Sequence, residues 1–322
     1  MKKYLIIVLV LVCSCFAFLG CADQDVQGPV AAKPAPESSS VTGKDPGSAA
    51  AATKDIIPGK QLTIKLLDVE HGDCMLIQGD GKTILIDTGD TAHNGTILQK
   101  LRANNVKHID ALIISHYHTD HNGGMMTVLR NFSVGRIYDA GVVNPRSQFV
   151  KNIFAEYAAG KWAHTQLRRG QVLKMADGFY FDVLSPGEQL LPNKKGIDHY
   201  LNNNSLVLKL HYGKFTMLFT GDMEANAEYQ VMANYKPADL HVDVLKVAHH
   251  GSRTSSTWNW LKTVQPTWGV ISCGGDPVKY NHPHPKVLST YEYLGIKVVT
   301  TKQNGDLIIT TDGNTYDVHG SR

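Results

Sequence analysis

The chain is short of cysteine, of charge in one sign and of long apolar runs, and each shortage closes off a class of protein. Five cysteines in 322 residues cannot staple a disulfide scaffold. Cys13, Cys15 and Cys21 lie at the extreme N-terminus, and Cys74 and Cys273, each in an apolar setting, are expected as buried thiols. With 32 Lys+Arg against 29 Asp+Glu, a net +3, no basic surface steers the chain towards nucleic acid, so any polyanion recognition has to be local. The longest apolar run, Leu5 to Leu19, has about 15 residues, short of the roughly 20 that span a bilayer as a helix. No repeat of about 20 to 50 residues is visible, which excludes a solenoid. Present in quantity are 43% hydrophobic residues, ample for a packed core, and fifteen histidines. Several of these crowd together beside aspartates, where metal chemistry is the first reading.

Lys2 and Lys3 ahead of the apolar run are the pattern of a secretory signal. Its end, Phe18-Leu19-Gly20-Cys21, resembles a bacterial lipoprotein signal, which makes Cys21 the expected lipidation site and residues 1–21 a signal peptide. Ordinary cleavage and secretion, or an uncleaved anchor, are the alternatives. Residues 22–60, rich in Ala, Pro, Ser and Gly without apolar periodicity, are expected as a flexible tether. Residues 61–322 are expected to form one domain.

In that domain, strands are expected at Leu62–Leu67, Cys74–Ile77, Thr83–Ile86, Ala111–Ile114, Ile137–Asp139, Tyr180–Leu184, Ser205–Leu210, Phe215–Thr220, Val244–Val247, Trp268–Ser272, Lys297–Thr300 and Leu307–Thr310. Helices fit Asn94–Asn104, a segment starting at Met125, Glu224–Asn234, Thr257–Val264 and Lys286–Tyr293. Two groups of strands with helices interleaved imply an α/β fold: two mixed sheets face to face with helices outside, four layers in the order αββα.

The strongest signal is Ser115-His116-Tyr117-His118-Thr119-Asp120-His121, directly after the buried strand Ala111–Ile114. Three imidazoles and a carboxylate on the end of a rigid sheet are costly to bury unpaired and match zinc, with manganese or iron as further options. The glycines Gly123 and Gly124 are expected to let the loop turn tightly into the next helix.

His116-x-His118-x-Asp120-His121 resembles the signature of the metallo-β-lactamase fold superfamily. So do Thr83–Asp87-Thr88-Gly89, Phe219-Thr220-Gly221-Asp222 and Val247-Ala248-His249-His250-Gly251-Ser252, in that family's order. The resemblance extends over residues 62–322. Leu67-Asp68-Val69, Gly72-Asp73, Asn204-Ser205 and His282-Pro283-His284-Pro285 are similar to one branch, the hydrolase domain of ComEC-type competence proteins that take up DNA. Glu70-His71 departs from that branch's usual Gly-Gln, and the multi-span channel is absent, so a stand-alone exported relative is expected.

The resemblance implies two divalent ions, zinc or manganese. Site one would use His116, His118 and the shared Asp222; site two Asp120, His121, Asp222 and His249. Asn204 stands where other members have a third histidine, and His199 is a rival third ligand. His249 and His250, if on an extended strand end, would point to opposite sides, so one of them ligates, with His249 preferred. Asp87 and Asp73 would support the loop, with Ser205 and His250 close behind. His284, from the stiff His-Pro-His-Pro loop beside His282, would lie over the metals and stabilise or protonate a leaving oxygen. Ser252 and Arg253 are candidate phosphate contacts, Arg253 being equally readable as a solvated charge. Trp258, Trp260 and Trp268 are read as core.

Such a site suits a phosphodiester, with Asp120 orienting the attacking water and accepting its proton. The expected function is thus a membrane-anchored phosphodiesterase or nuclease with a phosphodiester substrate, DNA included. Competing readings are a phosphocholine-type esterase, a lactone or β-lactam hydrolase, and a non-catalytic accessory of DNA uptake.

Overall fold

In the computed structural model, residues 40–43, 60–275 and 281–322 are described, all within one unit spanning Pro34–Arg322. The segment expected as a signal peptide with Cys21, most of the stretch expected as a tether, and residues 276–280 lie outside the described residues.

Two eight-stranded sheets make up the fold. The first contains β2 (Leu62–Leu66), β3 (Met75–Gly79), β4 (Lys82–Ile86), β5 (His108–Ile113), β6 (Ser133–Asp139), β7 (His164–Gln166), β15 (Leu307–Thr311) and β16 (Tyr316–Gly320), in the order β16-β15-β2-β3-β4-β5-β6-β7. The second contains β1 (Ser40–Gly43), β8 (Gln171–Ala176), β9 (Phe179–Ser185), β10 (Val207–Tyr212), β11 (Phe215–Phe219), β12 (Val244–Lys246), β13 (Trp268–Ile271) and β14 (Lys297–Thr300), in the order β1-β8-β9-β10-β11-β12-β13-β14. Each is mixed. β2, β3 and β4 pair antiparallel, then β4 to β7 run parallel. β8 to β11 pair antiparallel, then β11 to β14 run parallel.

Alternation sorts the side chains into layers. Ile84 and Ile86 of β4, Ala111 and Ile113 of β5, and Phe215, Met217 and Phe219 of β11 fill the core between the sheets. Leu85 and Leu112 point the other way, into a second core under the helices Asn94–Ala103, Met125–Asn131 and Gln148–Ala158. Leu218 and Leu245 do the same in a third core under Ala225–Asn234, Trp258–Val264 and Pro285–Tyr293. A strand with partners on both faces is apolar at successive positions, which is why these runs read as continuous. Each such side chain contributes about 1.5–3 kcal/mol by leaving water. Leu112→Ala, at a site with no exposed surface, would cost about 2–5 kcal/mol.

Four expectations are corrected. Within the stretch read as a tether, Ser40–Gly43 pairs antiparallel with Lys174 to Gln171 of β8, using an edge that would otherwise expose unpaired backbone groups. The helices Gln148–Ala158 and Ile197–Asn203 were not foreseen. Trp258 is 47% exposed, against the ring of Tyr293, and not in the core, whereas Trp260 is buried. Gly123 and Gly124 have ordinary helical φ values of −60° and −81°. Close approach demands them: a Cβ would lie 2.3 Å from the Thr91 nitrogen at Gly123 and 2.2 Å from the Thr88 oxygen at Gly124.

Candidate metal centre

The site forms where the parallel strands of both sheets end. β4 runs into Asp87, β5 into Ser115–His121, β11 into Gly221-Asp222, and β12 into His249-His250. The β5 loop is fixed on three sides. Asp87 accepts from the Ser115 backbone N–H and hydroxyl, both at 2.7 Å, and its Oδ2 lies 2.9 Å from His121 Nδ1. The Asp73 N–H donates to the Asp120 carbonyl at 3.0 Å, and a Cβ at the preceding Gly72 would come within 2.5 Å of that same oxygen. On the far side the Tyr117 hydroxyl donates to Asp139 at 2.5 Å.

The imidazoles and carboxylates then converge. His116 Nε2 and His118 Nδ1 are 2.9 Å apart, and His116 Nε2 is 3.8 Å from Asp222 Oδ2. On the other oxygen, Asp222 Oδ1 is 3.2 Å from His121 Nε2 and 3.7 Å from His250 Nε2, while Asp120 Oδ2 is 3.3 Å from His250 Nε2. Two donor sets meet on Asp222, His116, His118 and Asp222 in one, and Asp120, His121, Asp222 and His250 in the other; a third buried group, Asp73, Asp87 and His121, lies behind them. Asp222 belongs to both.

His250, not the expected His249, therefore stands in the second set. The expectation assumed an extended strand end, but β12 stops at Lys246 and both histidines are left-handed, φ 52° each. Consecutive residues in that region cost about 1–3 kcal/mol each and persist where the surroundings dictate them. The turn carries the His250 ring inward, its Nδ1 3.0 Å from the Ser272 carbonyl. His249 instead lines the cleft, Nδ1 held by Thr254 at 2.9 Å and Nε2 3.7 Å from Asp222 Oδ2.

The electrostatics fit cations. Asp73, Asp87, Asp120 and Asp222 are gathered with one buried ammonium, Lys246, at 2.8 Å from Asp73. Carboxylates withdrawn from water require compensation. Burial alone would raise Asp120 and Asp222, yet both are held well below the usual carboxylate range, by His121, His250 and His71 in one case and by His121, His249 and His250 in the other. Burial would lower His121, but Asp222, Asp120 and Asp87 hold it well above its ordinary value. His116 is pushed well below by burial and by His121. Meanwhile His121 Nε2, His250 Nε2 and Asp222 Oδ1 are sealed from solvent without an aligned hydrogen bond. Donors aimed at common points and not at each other are what two divalent ions require.

The remaining candidates are sorted by contact. His284 is in neither donor set and is not among the cleft-lining residues; its Nδ1 accepts from the Lys286 N–H and caps the helix Pro285–Tyr293. His282 lines the cleft instead, its ring 5.6 Å from that of His249, because Gly251 (φ 82°) packs its Cα against Pro283. Burial and His250 push His282 down to about 4. Asn204 is not a ligand, since its amide is spent on the backbone of Leu191 and Tyr200. Ser205 Oγ accepts from the Asp222 N–H at 3.4 Å. Ser252 is buried and bonded to Thr254, and Arg253 is exposed away from the cleft, so Thr254 takes the place of both on the wall. His199 does not join either donor set; it pairs with Glu224 at 2.7 Å. Cys74 and Cys273 are buried and free.

His71, Glu224, Asn202 and Lys246 were missed as site residues. For His71 a signal existed in Glu70-His71; its Nε2 is 3.2 Å from Asp120 Oδ2. For the others nothing in the spacing marked them.

Fold and centre together define a metal-dependent hydrolase with a two-site metal centre. The chain belongs to the metallo-β-lactamase superfamily, whose family profile matches residues 67–275. It is 34% identical over 264 residues to ComE operon protein 3 of Bacillus subtilis, covering 76% of this chain and 32% of that protein. It is 30% identical over 254 residues to competence protein ComA of Neisseria gonorrhoeae, covering 79% of this chain and 33% of that protein. The chain thus spans about a third of the length of these curated relatives. CmlA, a diiron β-hydroxylase from Streptomyces venezuelae, shares the fold with a TM-score of 0.50 at 12% identity, covering 78% of this chain and 54% of that one.

Proposed function

We propose that this chain is an exported phosphodiesterase of nuclease type, tethered to the membrane through Cys21 and using two zinc or manganese ions. The observation that carries this reading is the pair of donor sets meeting on the two oxygens of one buried carboxylate, Asp222. Bound there, divalent ions supply a water-derived nucleophile near neutral pH and offset the charge that grows on phosphoryl oxygens in an in-line displacement. The open cleft above the centre, about 570 Å³, has room for a diester with a group on either side.

The chain's own residues do the rest. Asp120, held at Oδ2 by His71 Nε2 at 3.2 Å and His250 Nε2 at 3.3 Å, orients the attacking water and accepts its proton. His249, His282 and Thr254 line the wall against the substrate. Asp87 and Ser205 keep the β5 loop and Asp222 in register. Kinship with competence proteins supports DNA as the polymer, and the near-neutral charge balance requires that binding be confined to the cleft.

The test is hydrolysis of bis-p-nitrophenyl phosphate and of linear DNA with zinc or manganese supplied, beside an Asp120→Ala/His121→Ala control. Metal-dependent cleavage lost in the control is the expected result. Cleavage of nitrocefin with both diesters untouched would replace this reading by carbonyl hydrolysis.

A further inference from the structure

One wall of the cleft is built with more care than either donor set requires. His199, on the helix Ile197–Asn203, turns Nδ1 towards Glu224, 2.9 Å from Oε1 and 2.7 Å from Oε2. Glu224 is itself only 6% exposed. Asn202 Nδ2 donates to its Oε1 at 3.2 Å and Asn203 Nδ2 to its Oε2 at 3.1 Å. Asn203 Oδ1 in turn accepts from the Ala227 N–H, tying the pair to the helix Ala225–Asn234. A surface ion pair has no need of two amides to hold its carboxylate. Here three donors fix one buried acid, and that acid fixes one ring.

The orientation has a chemical consequence. With the carboxylate at Nδ1, the proton resides on that nitrogen, and Nε2 is the end of the ring left to the cleft. The His199 side chain is 43% exposed and lines the same cleft as His118, Asp222 and His249. It belongs to neither donor set, so it is free for work that the metal ligands cannot do. The centre provides for the attacking side of a displacement through Asp120. The leaving oxygen needs a proton when the departing group is an alkoxide, and His284, read from sequence for that role, is not among the residues lining the cleft, whereas His199 is.

We propose that His199 is the proton donor to the leaving oxygen, with Glu224 as its positioning residue; this rests on the phosphodiesterase reading above. As the bond from the water oxygen to phosphorus forms, the bond from phosphorus to the leaving oxygen breaks. In the imidazolium form, with Nδ1–H on Glu224 and a second proton on Nε2, His199 passes the Nε2 proton to that oxygen, the electron pair of the broken bond becomes the new O–H bond, and the alcohol leaves neutral. The water's proton goes to Asp120. The imidazole keeps its Nδ1 proton against Glu224 and recovers the Nε2 proton from solvent through its exposed edge.

The test compares two leaving groups on the full chain loaded with zinc or manganese. Bis-p-nitrophenyl phosphate expels a stable phenolate; dithymidine monophosphate expels an alkoxide. His199→Ala and His199→Gln are expected to lower kcat on the dinucleotide by about 10²- to 10³-fold. The loss on the nitrophenyl diester should be several-fold and at least tenfold smaller than that. Metal content by plasma emission should match the wild type in both variants, and Glu224→Gln should show the same leaving-group bias at lower amplitude. Equal losses on both substrates would overturn proton donation, and loss of a metal equivalent would make His199 a ligand. If the wild type cleaves neither diester, the phosphodiesterase reading fails first and takes this inference with it.

Discussion

The two sheets repeat one plan. Each places an antiparallel run beside a parallel one, and each sends the ends of its first two parallel strands to the centre: β4 and β5 from one sheet, β11 and β12 from the other. The loops beyond those strands differ. The first half concentrates its donors in one short segment, His116 to His121, and braces it with Asp87. The second half sends few donors, Asp222 and His250, from two separated turns, and it adds the cleft wall of His249, Glu224 and Thr254. The lesson is an uneven division between two similar halves: the first supplies most of the candidate donors, and the second shares Asp222 and His250 with them and supplies the larger part of the cleft wall.

The division breaks at Asp222, the one carboxylate both donor sets use. Asp222→Ala is expected to lower metal content in both sites and to abolish turnover. Asp120→Ala, which touches one set alone, should lower diester hydrolysis by about 10²- to 10⁴-fold while retaining the first ion. Plasma emission and steady-state kinetics on the two variants side by side check this. Identical metal loss in both would show that the centre is not split as described.

The histidine pair sharpens the comparison. His250→Ala should cost one metal equivalent, and His249→Ala should keep the full complement and raise KM. The reverse pattern would restore His249 as the ligand. Asp87→Asn weakens the brace and not a donor, so metal affinity should fall by about 10- to 100-fold, as for other outer-shell partners. Competition with a chromophoric chelator measures it.

Between the two halves lies a buried charge pair, Lys246 from the second with Asp73 from the first, both without exposed surface. Removing one member strands the other. Lys246→Met should therefore destabilise the fold by about 3–5 kcal/mol in urea unfolding. Asp73→Asn combined with it should recover much of that loss; a double variant as unstable as the single would mean the cost lies in packing alone.

How much of this was legible depends on which forces are local. The layered fold was readable because Ile84, Leu85 and Ile86, or Phe215 to Phe219, carry their burial pattern in consecutive residues. The histidine loop was readable because all its donors sit within one turn after a buried strand. The short edge strand His164–Gln166 has no apolar residue to betray it, and Ser40–Gly43 becomes a strand by pairing with the edge of β8. The helix Gln148–Ala158 carries its signal in Val150, Ile153 and Tyr157, spaced to fall on one buried face. The choice between His249 and His250 depended on two left-handed residues, and that between His282 and His284 on how Gly251 packs against Pro283. Lys246 meets Asp73 across the whole fold, so the strand's apolar pattern gave no reason to expect a buried ammonium.

The smallest effect concerns how the second half supports its own loop. Glu228, on the helix behind the histidine turn, accepts from the Ser256 N–H at 2.5 Å and the Thr257 N–H at 3.0 Å, at the start of the helix Trp258–Val264. Two backbone donors favour the anion, but burial outweighs them and raises this carboxyl from 4.5 to about 6. The folded state therefore binds this proton more tightly than the unfolded chain. Its contribution is fully present below pH 4.5 and is lost as pH rises through about 6. The shift of about 1.5 corresponds to about 2 kcal/mol. Glu228→Gln cannot ionise, so the stability of wild type relative to this variant should fall by that amount between about pH 4.5 and pH 7. Urea unfolding at each pH checks it. Parallel curves for the two proteins would mean that the two backbone donors fully accommodate the anion.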